Sequence, residues 1–237
     1  MKITLSLEKT ISNDVSIMVD ALRASTTITL ALNNFNKIIP CFTPEEAFKL
    51  KKLENGIIAG ERGGEIIDGF DIGNSPKLVE SYKSDKKTLI LTTSNGTRIL
   101  ENMNSTVLIG SLVNAKSVGK KSVETADNHI DVVMAGVNGE FALEDFLASG
   151  EILYWICNNL DEYDLSDYAK AAIIASKDYE YLKNGFLNSK SAQRLKKLNY
   201  YDDIILCSLK NISDNVAIYE NNEIKLIKDS LDRKSVV

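Results

Sequence analysis

Along the first two-thirds of the chain, apolar residues recur in short, nearly continuous runs. Between these runs the apolar positions fall three and four residues apart. A short run without polar alternation reads as a strand buried on both faces, and its alternation with helical spacing is the signature of a largely parallel sheet covered by helices. The expected strands are 2–7, 15–20, 37–42, 56–60, 87–92, 105–110 and 130–136, with helices expected at 25–34, 44–54, 76–82, 96–103, 114–125 and 142–158. Thr43-Pro44-Glu45-Glu46 places a capping hydroxyl, a proline at the first helical position and a glutamate three residues on, which is a helix start. From 166 to 208 the pattern is helical, and two strand-like runs near 215–219 and 223–228 close the chain as a hairpin around Asn221-Asn222. The expected fold is a three-layer α/β/α arrangement with a largely parallel sheet, a helical C-terminal third and a short terminal hairpin. The 237 residues suit a single unit, or two subdomains with a soft boundary near 160–165.

Composition narrows the function classes. Hydrophobic residues make up 44% of the chain, yet no apolar run reaches the roughly 20 residues a membrane helix requires. The N-terminal MKITLSLEKT lacks the apolar core of an export signal, so a cytoplasmic protein is expected. A net charge of −5 disfavours nucleic acid and anionic membranes as partners, and any anion site must be local. A homodimer is compatible with the sequence. Cys41, Cys157 and Cys207 are scattered through apolar contexts and read as buried free thiols. The chain has 23 lysines but five arginines, and Arg23, Arg62 and Arg98 lie in glycine- and hydroxyl-rich stretches. There the planar, two-pronged guanidinium has a reason to replace lysine, namely the binding of oxyanions.

Four segments carry this chemistry. In SIMVDALRASTT a buried strand ends at Asp20 and a helix opens near Ser25, where exposed backbone N–H groups, Arg23 and the hydroxyls of Ser25, Thr26 and Thr27 could surround a phosphate. The same residues could equally be a helix cap and a surface ion pair. AGERGGEIIDGFDIGNSP is too charged for core, and its Glu61, Glu65, Asp68 and Asp71 are hard oxygen ligands of the kind magnesium takes. LTTSNGTRIL repeats the strand, hydroxyl and helix-start logic with Thr93, Asn95, Gly96, Thr97 and Arg98. VVMAGVNGEFALEDFLASGEIL leads from a strand to a helix opened by Glu144 and Asp145, which serve either a metal or the helix dipole. In a parallel sheet all strand carboxyl ends share one edge, so these segments are expected to form one composite site.

Several phosphatase chemistries are absent. His129, the chain's one histidine, has no catalytic setting, no cysteine is followed by arginine at the C-x5-R spacing, and neither an Asp-x-Asp strand end nor a P-loop occurs. Metal-assisted attack by water remains. The ordered motifs VDALRASTT, GERGG, GFDIGNSP, TTSNGTR, IGSLVNA and AGVNGEFALED resemble those of the 2-phosphosulfolactate phosphatase family, over residues 17 to about 153. The resemblance implies Mg²⁺-dependent hydrolysis of 2-phosphosulfolactate, a small anionic substrate, to sulfolactate and phosphate, a step in coenzyme M formation. It carries catalytic roles onto Asp20, Arg23, Asp71 and Arg98, and metal binding onto Asp20, Glu61, Glu144 and Asp145. Substrate binding falls on Ser25, Thr26, Thr27, Arg62, Asn74, Thr93, Asn95, Gly96, Thr97, Ser111 and Asn114. Arg23 is expected to grip the transferring phosphoryl group. Two alternatives stand beside this reading: a phosphatase of a related phospho-hydroxyacid, and a non-catalytic binding protein for a small sulfonated or phosphorylated acid, which would keep the arginines and helix starts without needing the clustered carboxylates.

Overall fold

The computed structural model describes residues 1–93, 99–100 and 103–227. The strands are β1 (Lys2–Leu7), β2 (Val15–Val19), β3 (Lys37–Cys41), β4 (Ile57–Arg62), β5 (Glu65–Ile66), β6 (Thr88–Thr92), β7 (Thr106–Gly110), β8 (His129–Met134), β9 (Asp164–Leu165), β10 (Ala217–Glu220) and β11 (Glu223–Leu226). The helices are α1 (Ala24–Ala31), α2 (Pro44–Leu53), α3 (Pro76–Ser81), α4 (Ala115–Thr125), α5 (Leu143–Cys157), α6 (Asp167–Ser176), α7 (Tyr179–Leu187), α8 (Lys190–Lys197) and α9 (Tyr201–Cys207). Strand order is β5-β4-β6-β3-β11-β10-β7-β2-β8-β1-β9.

Every residue of β2 is buried, as a nearly continuous apolar run requires for a strand flanked on both sides by parallel neighbours, and its one polar residue, Ser16, is hydrogen-bonded to Thr10 and Ser105. Alternate side chains enter different cores. Ile17 packs with Ile3, Leu108, Val132 and the apolar faces of α5 to α9, whereas Met18 packs with Ile28 of α1 and with Ile38, Leu89 and Leu91 of β3 and β6. Cys41, Ile58, Phe70 and Ile90 form a third cluster beneath Ala47 of α2. The helix start at residue 43 forms as its sequence indicates, with Thr43 accepting from the Glu46 amide and Glu46 reaching back to the Phe42 amide.

The terminal hairpin turns at Asn221 and Asn222, both at positive φ, and it sits in the middle of the sheet. Here β10 runs antiparallel to β7 and β11, and β11 runs antiparallel to β3. The two parallel runs, β4-β6-β3 and β7-β2-β8-β1-β9, therefore traverse the sheet in opposite senses. The carboxyl ends do not share one edge of a single parallel sheet. The exits of β2 and β8 nevertheless meet those of β4 and β6 at one cavity. The three cysteines are free, and Cys157 is only half-buried, unlike Cys41 and Cys207. Among the described residues no helix is long and apolar enough to cross a membrane.

Candidate active site

The exit of β2 builds the first wall. α1 is buried along its whole length, between β7 on one side and α3 on the other, so hydroxyls in it must be satisfied locally. Ser25 Oγ donates to the Asp20 carbonyl at 2.8 Å and accepts from the Asp20 amide at 3.2 Å, and Thr26 Oγ1 donates to the Ala21 carbonyl at 3.0 Å. These two hydroxyls, which the sequence offered as substrate donors, fasten the turn that presents Asp20 and Arg23. Thr27 Oγ1 is buried, with no hydrogen-bond partner among the described residues. Asp20 accepts from the Ala24 amide at 3.3 Å, and its carboxylate lines the cavity.

Arg23 is 4% exposed and held from three sides. Its Nη1 donates to Asp203 at 2.8 Å, its Nη2 donates to the Gly64 carbonyl at 2.9 Å, and its guanidinium lies 4.4 Å from the ring centre of Tyr200. Asp203 also accepts from Ser75 Oγ at 2.7 Å, and Ser75 caps α3 through the Leu78 amide. The β4–β5 turn that brings Gly64 to Arg23 needs positive φ at both Gly63 and Gly64, at +65° and +92°. In the same turn Glu61 accepts from the Gly64 amide.

These elements enclose a cavity of about 80 Å³ lined by Asp20, Arg23, Glu61, Asn74, Thr93 and the Gly63-Gly64 turn, with Val137, Ser191 and Arg194 at its border. Asn74 is 3% exposed, and among the described residues its Oδ1 has no hydrogen-bond partner. A buried amide oxygen left in this state costs free energy until a donor or cation meets it. A larger groove of about 680 Å³ adjoins the cavity, shares Val137, Ser191 and Arg194 with it, and includes Glu144.

Behind Asp20 sits Asp145, whose Oδ1 accepts from the Ala21 amide at 2.8 Å and whose Oδ2 accepts from the Gly136 amide at 3.0 Å. Burial, and then the charges of Asp20 and Glu144, hold its carboxyl well above the ordinary range despite those two donors. Both oxygens are thus committed to backbone, which makes Asp145 a brace between two strand exits rather than an available ligand. Among the described residues no group of three or more His, Cys, Asp or Glu side chains is arranged to hold a metal. Magnesium needs no such cage, because it is usually bound by one or two carboxylates, water and substrate phosphate. Asp20, Glu61 and the unpaired Asn74 oxygen fit that kind of site.

Other residues named from the sequence lie elsewhere. Asp71 pairs with Lys51 at 2.7 Å and accepts from the Ile58 amide at 2.9 Å, a surface clamp outside the cavity. Arg62 turns away to the carbonyls of Glu61 and Phe42. Ser111 and Asn114 cap the short helical turn at Leu112–Asn114, and Asn114 also donates to the Asn215 carbonyl at 2.9 Å. Asn95, Gly96, Thr97 and Arg98 lie outside the described residues. Ser191 and Arg194 at the cavity, and Tyr200 and Asp203 around Arg23, belong to no motif in the sequence. They come from the helical C-terminal third, where the scarcity of arginine marked Arg194 but no glycine or hydroxyl motif surrounded it. The thiols offer no nucleophile here, since burial pushes Cys41 up to about 11 and Cys207 also upward.

Comparison with known proteins gives the family. Residues 2–222 match the family model for 2-phosphosulpholactate phosphatase. A 2-phosphosulfolactate phosphatase of Methanothermobacter thermautotrophicus is 44% identical over 229 residues, covering 97% of each chain. A probable 2-phosphosulfolactate phosphatase of Clostridium acetobutylicum is 36% identical over 222 residues, covering 92% of this chain and 94% of its own. One of Clostridium perfringens is 36% identical over 231 residues, covering 94% of this chain and 93% of its own.

Proposed function

The chain belongs to the 2-phosphosulfolactate phosphatase family, a family of phosphoric monoester hydrolases, and from that membership we propose that it hydrolyses 2-phosphosulfolactate to sulfolactate and phosphate with Mg²⁺. The observation that carries the reading is the meeting of Asp20, Arg23, Glu61, Asn74 and Thr93, from three strand exits and a helix start, on one small polar cavity. In the cell this is a step of coenzyme M biosynthesis type, carried out in the cytoplasm.

Water forms the new bond to phosphorus, the ester P–O bond breaks, and the proton lost by water returns to the sulfolactate oxygen. Such a transition state is loose, so the protein contributes position and charge more than bond-making. Arg23 supplies donors to the equatorial oxygens. Its anchoring by Asp203, Gly64 and Tyr200 leaves little reorganisation to occur during the reaction. Thr93 adds a hydroxyl from the opposite strand exit, and the Asn74 amide orients the attacking water. Asp20 and Glu61 are the carboxylates that would hold Mg²⁺, with Asp145 fixing the backbone beneath Asp20. The bound metal would neutralise phosphate charge and polarise its oxygens.

Phosphate release from 2-phosphosulfolactate, with Mg²⁺ and with chelator, is the test. Release with Mg²⁺ and its loss in chelator are expected. Full turnover in chelator removes the metal from this account, and no turnover under any divalent ion leaves a binding protein.

A further inference from the structure

We propose that Arg194 binds the sulfonate of the substrate and so determines specificity, an inference that rests on the phosphatase reading of the cavity. Three observations carry it. First, the other arginines seen near the site are engaged: Arg23 by Asp203 and Gly64, Arg62 by two carbonyls. Arg194 lines the cavity from an exposed position, and among the described residues its guanidinium has neither an ion-pair nor a hydrogen-bond partner. Its N–H groups are thus available, at the mouth of a space whose floor carries Asp20 and Glu61, to an anion that enters from outside.

Second, the space is divided. A small-molecule pocket ordinarily encloses about 300 Å³ or more, whereas this cavity holds about 80 Å³, enough for a phosphoryl-sized group. The rest of a three-carbon substrate must extend into the adjoining groove, and Arg194 stands on the border that both spaces share. Third, a Cβ built at Gly63 would lie 2.7 Å from Arg194 Nη2, which places the guanidinium directly against the turn that lines the cavity. A guanidinium in this position can present two parallel N–H groups to a sulfonate, as it does to phosphate or carboxylate.

Two measurements test this. The first compares kcat/KM for 2-phosphosulfolactate with that for 2-phospholactate, which differs in lacking the sulfonate, in wild type, Arg194→Ala and Arg194→Lys. The preference for the sulfonated substrate should fall by about ten- to a hundredfold in Arg194→Ala, the range for losing a charged hydrogen-bonded contact, with partial recovery in Arg194→Lys. An unchanged preference overturns the assignment. The second is calorimetric titration with sulfolactate, which needs no turnover. Wild-type binding that is lost in Arg194→Ala supports the sulfonate site even if the enzyme hydrolyses neither ester, a result that would sink the phosphatase reading alone. Equal binding by both proteins overturns the role of Arg194, and absence of sulfolactate binding by the wild type overturns both. Arg194 is exposed on α8, and Arg194→Gln, which keeps helix propensity, checks that any loss is not one of folding.

Discussion

Arg23 and Asp203 are 180 residues apart in the chain and form an ion pair at 2.8 Å, with each side chain 3% exposed. The pair joins the exit of β2 to α9, and through Ser75 and Gly64 it also gathers the start of α3 and the β4–β5 turn. Removing one partner would leave the other charge buried and uncompensated. Asp203→Ala should therefore destabilise the protein by about 3–5 kcal/mol, while Arg23→Met/Asp203→Leu should lose distinctly less, as apolar replacement of a whole buried pair often does. Urea unfolding of the two variants checks this, and a double variant weaker than the single would contradict it.

The same pair bears on catalysis. Arg23 keeps unused N–H groups beside the cavity while its position is fixed, which is the condition for stabilising charge that develops in the transition state. Arg23→Ala should lower kcat by about a hundred- to a thousandfold, and Arg23→Lys should recover part of it. Steady-state kinetics on folded protein decides the matter. A raised KM with unchanged kcat would move Arg23 to uniform substrate binding.

Ser25 separates a structural hydroxyl from a ligand. With its Oγ bonded to both backbone groups of Asp20, Ser25→Ala takes the hydroxyl from the buried Asp20 amide, while the Asp20 carbonyl keeps the Ser25 amide at 2.9 Å. The expected cost is about 1–3 kcal/mol of stability, with KM little changed once the protein is folded. A large rise in KM at normal stability would restore Ser25 to the substrate.

Much of the fold was legible because its strands are buried runs and its helices carry their own start signals. β2, α2 and the Asn221-Asn222 turn all form where local pattern places them. Local pattern could not reveal that the last hairpin would lie between β3 and β7 and reverse one parallel run against the other, because strand pairing is set by contacts distant in sequence. Asp20, Arg23, Glu61, Asn74 and Thr93, named from polar strand exits, do line one cavity. Ser25, Thr26 and Asp71 have the same residue chemistry but spend it on backbone, and only the burial of α1 and the nearness of Lys51 distinguish them. Asp203 and Arg194 sit in ordinary helical sequence, where nothing nearby announces a partner on the far side of the molecule.

His129 offers a pH test remote from the cavity. Its Nε2 lies 2.8 Å from Thr4 Oγ1, and burial, followed by the Lys2 charge, holds its pKa below the ordinary 6.5 against the pull of Asp131 and Asp14. The neutral ring is favoured in the folded state, so its contribution is fully present above about pH 6.5 and declines as pH falls from there toward the depressed folded pKa. In that window the unfolded chain takes up the proton first. His129→Gln should flatten the fall of the urea midpoint with pH, and parallel curves for the two proteins would contradict this reading.

The central claim is that the exits of β2, β4 and β6 form one phosphoryl-transfer site, and a crystal structure with Mg²⁺ and sulfolactate plus phosphate tests it most directly. The metal is expected on Asp20 and Glu61, phosphate beside Arg23 and Asn74, and the sulfonate directed past the Gly63 turn toward Arg194. Ligands bound at another face, with the cavity between Asp20 and Glu61 holding only water, would contradict it.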